Sequence, residues 1–529
     1  MFKYFLAASM VPCFAFAEEI VTGTNEQALQ SWQASVRGSN YTNHVTAPAN
    51  TTTPNKDGTF YKIAVVTDFR QTNEIKGLVD FLQFGLINSN DRSVISQTPA
   101  LINNLQAGRS TNDYFISGGD ISPNFSSLST NLGARGIIGQ NLFGNFLVSA
   151  YTGVVAESWE ALNSSILRSH FLRDIYGLKT EYTYSDSIQL YATTQVGSDR
   201  SGSVNDPALI ATSNATNLQS SSVGFAFSEG NFKIAGEIAT SSDQQETLAN
   251  KSGLASILDA EWDNKTVALH LGYHDISDKF STLSVKALPG VREAYLGADW
   301  VAQTWLTAGA EFRNGNDTVL ATTTTSQSAK AQFSFESENP EWTLNLTQTD
   351  SKARDIRLLL IQNEQSAATL KYEAHQWKIG LTHSVGKVTD ASAPTSDAKK
   401  LGWNLSVAKA LGDVTPTPTS IWSGNVAISY SSDDHRYLTG TNVLTTKRSL
   451  SISAKHIEWG SLILSADDGA TPRPNLPELT TESRQFDVAH DFTAKDNARI
   501  YWLSTKNNTQ EIALATEEQI LGAEYTHTF

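Results

Sequence analysis

One cysteine, Cys13, and two methionines, Met1 and Met10, are the only sulfur residues in a chain of 529. All three precede residue 18, which excludes disulfides, thiolate metal sites and cysteine nucleophiles from the rest of the chain. Beyond the N-terminal segment no apolar run reaches about 18 residues, which removes transmembrane helices and leaves a closed barrel as the other way of crossing a bilayer. Positive charge is also scarce: 39 Lys and Arg face 54 Asp and Glu, a formal net charge of −15. Nucleic acid is therefore not an expected partner. No G-x-S-x-G, H-E-x-x-H or P-loop spacing stands out, and no Cys-x-x-Cys-His haem attachment exists.

What is present begins with an address. Lys3 precedes an apolar run from Tyr4 to Phe16, and Ala15-Phe16-Ala17 supplies the small residues of a cleavage site. Residues 1–17 read as a signal peptide, with the mature chain starting at Glu18. A lipoprotein reading through Cys13 is disfavoured by Pro12 and Met10.

After that, one pattern recurs. Leu258, Ala260 and Trp262 alternate with Asp259 and Glu261; Asp263-Asn264-Lys265 turns the chain; Val267, Leu269, Leu271 and Tyr273 then alternate with polar or small residues. Each strand so formed has one apolar and one wet face. Copies follow at Tyr176–Ala192, Val223–Ile238, Ala294–Phe312, Phe333–Leu346, Ala368–Leu381 and Leu401–Val407, with more towards the end. About 24 strands, with a range of 22 to 26, are expected in one architecture over 18–529. Residues 18–111 are less regular, and 41–57 read as a loop. Segment 74–108 fits a strand followed by a long loop, with helical spacing as the competing fit.

The last strand carries the clearest signal: Leu521, Ala523, Tyr525 and Phe529 share one face, interrupted only by His527. Together with the signal segment, Tyr525 and Phe529 make the chain resemble a bacterial outer-membrane β-barrel of the porin class. The resemblance implies a large antiparallel transmembrane barrel in the outer membrane, with short periplasmic turns and long extracellular loops. It also implies membrane lipid as surroundings and the barrel-assembly machinery as a partner for the C-terminal strand. Two further features agree with it. Tyr184, Trp262, Trp300, Trp305, Trp342, Trp377 and Trp459 sit at strand ends beside turns, where a membrane interface would meet them. Short turns at 185–187, 229–231, 263–265 and 375–376 alternate with Ser, Thr, Asn and Asp-rich connections at 197–220, 240–253, 313–328, 386–399 and 466–483. A secreted sandwich or solenoid is the competing reading.

Opposite the apolar stripes stand Lys179, Glu181, Lys233, Glu237, Asp259, Glu261, Glu311, Arg313, Lys371, Glu373, Lys378, Asp487, Asp491 and Arg499. If the apolar faces meet lipid, these charges point into the lumen and tune ion preference; the bland reading is a set of cross-strand pairs stiffening the wall. Trp159, Leu162, Ile166 and Leu167 share one face of a short helix that either narrows the lumen or packs on the rim. His270, His274, His375, His383, His456, His490 and His527 offer catalysis no recognisable partner pattern. Asp433-Asp434 and Asp467-Asp468 are conceivable Ca²⁺ ligands in loops, although isolated acidic pairs are usually just solvated.

The expected function is passage of hydrophilic solutes, without enzymatic activity or cofactor. Two rivals are a barrel that sheathes or exports a larger cargo or partner (polysaccharide, protein or electron-transfer partner), and a surface receptor or adhesin without conduction. The acidic balance predicts mild cation preference.

Overall fold

The structure is a computed structural model. It describes residues 28–47, 56–73, 77–92, 98–205, 215–245, 249–283, 288–319, 322–336, 341–354, 360–374, 376–391, 397–412, 422–437, 442–456, 460–473, 476–493, 495–508 and 515–529. The signal segment with Ala15 and Ala17, His375 and Trp459 fall outside these.

The described residues form 26 strands in one sheet. In chain order they are β1 (Ala28–Thr46), β2 (Gly58–Asn73), β3 (Leu78–Ser89), β4 (Ala100–Ser110), β5 (Tyr114–Ile121), β6 (Ala134–Phe143) and β7 (Phe146–Val155). Next come β8 (Arg173–Ser185), β9 (Ile188–Asp199), β10 (Thr216–Glu229), β11 (Phe232–Gln245), β12 (Lys251–Asp263), β13 (Val267–Ile276) and β14 (Val291–Gln303). The wall continues through β15 (Leu306–Asp317), β16 (Thr322–Glu336), β17 (Glu341–Arg354), β18 (Leu360–Ala374), β19 (Trp377–Asp390) and β20 (Ala398–Gly412). It finishes with β21 (Trp422–Tyr437), β22 (Asn442–His456), β23 (Gly460–Arg473), β24 (Leu476–Asp491), β25 (Asp496–Asn508) and β26 (Thr516–Thr528). Each strand pairs antiparallel with the next, and β1 pairs with β26 from Ser35↔Thr528 to Thr46↔Glu517. The sheet has no outer edge left along that seam, so the backbone donors and acceptors of the wall are satisfied within it.

Which face is outside follows from exposure. Ile238 and Leu254 are 56% and 57% exposed, whereas Ala239 and Ala255, one residue further along each strand, are buried under inner-face segments. Leu258, Leu271, Leu296 and Phe312 continue the outer apolar row across β12 to β15. A folded chain surrounded by water does not leave such a row bare; hydrocarbon is the solvent it fits. Trp300, Trp305, Trp342 and Trp377 are exposed at the short-turn end, and Tyr176, Tyr273, Trp403 and Tyr430 at the other. On β8, Tyr176 and Tyr184 lie eight positions apart, which at ~3.3 Å per residue and ~40° tilt is ~20 Å along the axis, close to the ~25 Å apolar band of an outer-membrane barrel. Short turns on one rim of a closed, even-stranded barrel mark its periplasmic side.

Several sequence expectations change. Tyr41 to Thr46 belong to β1 rather than to a loop, and 74–108 holds two strands, β3 and β4, rather than a strand and a long loop. The first strand escaped because the apolar alternation of Ala34 and Val36 breaks off at the outward Gly38, Asn40 and Thr42. The connections read as long at 240–253, 313–328, 386–399 and 466–483 are mostly strand: only 246–250, 318–321, 391–397 and 474–475 lie between elements. The Ser and Thr-rich stretches carry the ladders on past the point where the apolar alternation ends. The long connections are 47–57, 90–99, 122–133, 156–172, 200–215 and 277–290 on one rim, with 413–421 an exception on the short-turn rim. In place of a helix at 159–171 stand two 3-10 turns, Glu160–Leu162 and Ser165–Leu167.

Candidate functional site in the lumen

The inner wall is not bare between β5 and β13. The connection 122–133 folds inward and closes on itself through Phe125 N–H to Thr130 O at 2.9 Å and the bridge Asn124↔Asn131. Glu237, on the inward face of β11 and 2% exposed, receives it: the Leu128 N–H donates to Oε2 at 3.3 Å and the Ser126 hydroxyl donates to Oε1. Thr130 bonds the Tyr151 hydroxyl of β7 at 2.7 Å and the Gln195 side-chain oxygen of β9. Phe125 meets Tyr151 edge-on with centroids 5.0 Å apart.

A second inward segment, from the connection 277–290, rests on the first. Thr282 Oγ1 donates to the carbonyls of Leu128 and Ser129 at 2.8 and 2.5 Å, and Asn131 N–H donates to Leu283 O at 3.4 Å. Leu128, Phe280 and Ile276 pack with Ala239 and Ala255 of the wall. The chain can approach so closely because residue 253 is glycine; a Cβ there would lie 2.3 Å from the Phe280 backbone nitrogen. Burial of these apolar groups, together with the bonds to Glu237, Tyr151 and Gln195 and those of Thr282, makes the two segments a fixed lining rather than a loose strand of chain.

The register places all fourteen charged residues singled out above on the inward face. Lys179 and Glu181 pair at 2.8 Å along β8, and Lys233 reaches Glu261 at 3.3 Å across β11 and β12. Arg313 bridges Glu293 at 2.7 Å and Glu311 at 3.3 Å, with its guanidinium 4.9 Å from the Tyr295 ring. Tyr295 donates to Asp259 at 2.6 Å, and His274 Nε2 meets the same oxygen at 2.9 Å. Lys378 pairs Glu373 at 2.6 Å; Arg499 pairs Asp487; Asp491 accepts from Asn497 at 2.6 Å. Lys371 stands opposite Gly380. Ion pairs therefore account for much of the set, as cross-strand ladders do.

Other candidates disperse. Asp433 and Asp434 are consecutive on β21, as Asp467 and Asp468 are on β23, so each pair points to opposite faces of the wall and cannot chelate one ion together. Asp434 pairs Arg436 at 2.6 Å and Asp468 pairs Arg484 at 2.8 Å. Trp159 donates through Nε1 to Asp120 at 3.1 Å, and Arg168 holds the carbonyls of Ala161 and Leu162 at 2.6 and 2.8 Å, which fastens the 3-10 turns to the rim. The lining at 122–133 and 277–283 was not singled out in the sequence. Its one local mark is the Pro123 to Gly133 stretch between two strand patterns, and its partners are distant in the chain.

The chain is a transmembrane β-barrel of the bacterial outer-membrane kind. No protein-family model matches it, and no curated protein does. Among solved structures it is similar to OccK8 (OprE) of Pseudomonas aeruginosa, at 9% identity over 94% of this chain and 98% of that one, TM-score 0.31. It is similar also to the P pilus usher PapC translocation pore, at 7% over 94% and 99%, TM-score 0.37. A third is Wzi of Escherichia coli, at 12% over 67% and 83%, TM-score 0.32. The barrel assignment stands on the chain's own register.

Proposed function

We propose that the protein is a porin-like channel through which hydrophilic solutes cross the outer membrane by diffusion, with the charged inner wall and the lining at 122–133 and 277–283 setting size and charge preference. One observation carries this reading: a closed cylinder whose outer face is apolar and whose inner face is charged, with the inward segments among the described residues packed on β5 to β13. At ~4.8 Å between strands and ~40° tilt, 26 strands enclose a wall roughly 50 Å across, which those segments occupy on one side. The inner residues solvate ions and hydroxylated solutes; among the described residues no reacting constellation supports catalysis, and no cofactor enters the reading.

The same strand count favours a second reading. Ordinary porins have about 16–18 strands, and a wider wall suits a barrel that sheathes or exports a larger cargo or a periplasmic or lumenal protein partner. Planar-bilayer recording of purified protein separates the two. A large, stable open conductance supports the channel; a silent barrel supports the sheath, or a receptor without conduction.

A further inference from the structure

Phe81 of β3 and Phe115 of β5 lie on the inner wall beside the short-turn mouth, since their neighbours Leu82 and Ile116 are exposed on the outer face. Their rings are 6.3 Å apart and within 11° of parallel. Phe81 stands opposite Gly108 of β4, where a Cβ would come within 2.5 Å of its Cζ. Glycine at that position lets the ring lie down across the neighbouring strand. The two near-parallel rings line the floor of one cavity.

Planar polar groups surround that floor. Asp68 and Arg70 of β2, Gln83 of β3 and Gln106 of β4 close a cavity of about 290 Å³ over it. Gln83 Nε2 donates to Asp68 Oδ2 at 3.2 Å and Gln106 Nε2 to Ser117 Oγ at 3.1 Å, so both carboxamides are held in place. One carboxylate and one guanidinium cancel in charge. The niche thus has no field to attract an ion, yet it offers acceptors and donors around an apolar floor.

We infer that this niche binds a neutral sugar ring, the face of the ring resting on Phe81 and Phe115 and its hydroxyls bonded by Asp68, Arg70, Gln83 and Gln106. A pyranose carries C–H bonds on its faces, which suit the electron-rich face of an aromatic ring, and hydroxyls around its rim, each able to donate to a carboxylate and accept from a guanidinium. A hexose takes the space of about six waters, ~180 Å³ at ~30 Å³ each, which the cavity holds. The site's place on a solute's route rests on the channel reading; its binding chemistry does not.

Isothermal titration of the detergent-solubilised barrel with neutral hexasaccharides of glucose, galactose, mannose and N-acetylglucosamine tests the site, with polyethylene glycol of matching size as control. At least one sugar should bind and the glycol should not. The double variant F81L/F115L keeps apolar volume but loses the aromatic faces, and should weaken binding tenfold or more; Gln83→Ala, which removes one carboxamide, should weaken it severalfold. Absence of binding by every sugar, or binding unchanged in both variants, overturns the inference. Bilayer recordings on the same preparation separate the two readings: sugar binding without conductance removes the channel and keeps the site, whereas conductance without sugar binding does the reverse.

Discussion

Glu237 of β11 accepts a hydrogen bond from the backbone N–H of Leu128, 109 residues earlier in the chain, and so fastens the inward connection 122–133 to the middle of the barrel wall. Removing a buried acceptor strands its donors at a cost of about 1–3 kcal/mol. Glu237→Ala should therefore speed amide exchange at Leu128 about tenfold or more and raise single-channel conductance. Unchanged exchange there would show that Thr130 and Thr282 hold the lining without Glu237.

Close approach at residue 253 gives a second test. Gly253→Val drives a side chain into the Phe280 backbone, which must move off the wall. The described cluster of Leu128, Phe280, Ala239 and Ala255 then opens, at about 1–3 kcal/mol. Proteolysis within 277–290 should become rapid while the heat-modifiable migration of the closed barrel persists; protection equal to the parent would refute the packing.

Inside and outside can be told apart by arginine. Leu271, exposed on the outer face midway along β13, should lose about 2–4 kcal/mol of folding stability in vesicles on replacement by Arg. Ser328, inward on β16 and opposite Glu311, should tolerate the same change within about 1 kcal/mol. Equal costs at the two positions would contradict the assignment of faces.

Of the fourteen inward charges singled out from the sequence, eight are carboxylates and six are cations. A salt gradient should give a reversal potential showing mild cation preference, and Lys371→Glu should increase it. Anion selectivity would remove the idea that this wall sets the preference.

The rim connection 156–172 should respond to acid. Partial burial raises the Glu157 carboxyl, but hydrogen bonds from the Ser169 hydroxyl, the Ser169 backbone and His170 outweigh it and leave the group below its ordinary value. The Ser169 and His170 amides donate to it at 2.8 and 2.9 Å. A depressed carboxylate stabilises the connection fully above the ordinary Glu range and loses that contribution as pH falls through the lowered value. Exchange at the two amides should rise on acidification, beyond the intrinsic trend, and Glu157→Gln should remove that extra pH dependence.

Reading strands from the sequence worked wherever alternate residues were apolar. Leu258, Ala260 and Trp262 announce β12 because hydrocarbon selects one face, and Asp263-Asn264-Lys265 announces the turn, where Lys265 adopts a left-handed φ of 72°. It failed at β1, whose outward Gly38, Asn40 and Thr42 carry no such mark, and in the Ser and Thr-rich extensions, where both faces are wet. Charges on the wet face were legible for the same reason that the apolar stripes were.

By itself the sequence determined a wall: period-two alternation, short polar turns and the absence of long apolar runs leave a transmembrane sheet that must close on itself. Tertiary structure alone decided how many strands close it and what lies within. Those outcomes depend on pairings such as β1 with β26 and Glu237 with Leu128, whose partners lie far apart in the chain. Local periodicity registers the solvent that a residue meets and carries no record of which distant backbone will arrive beside it.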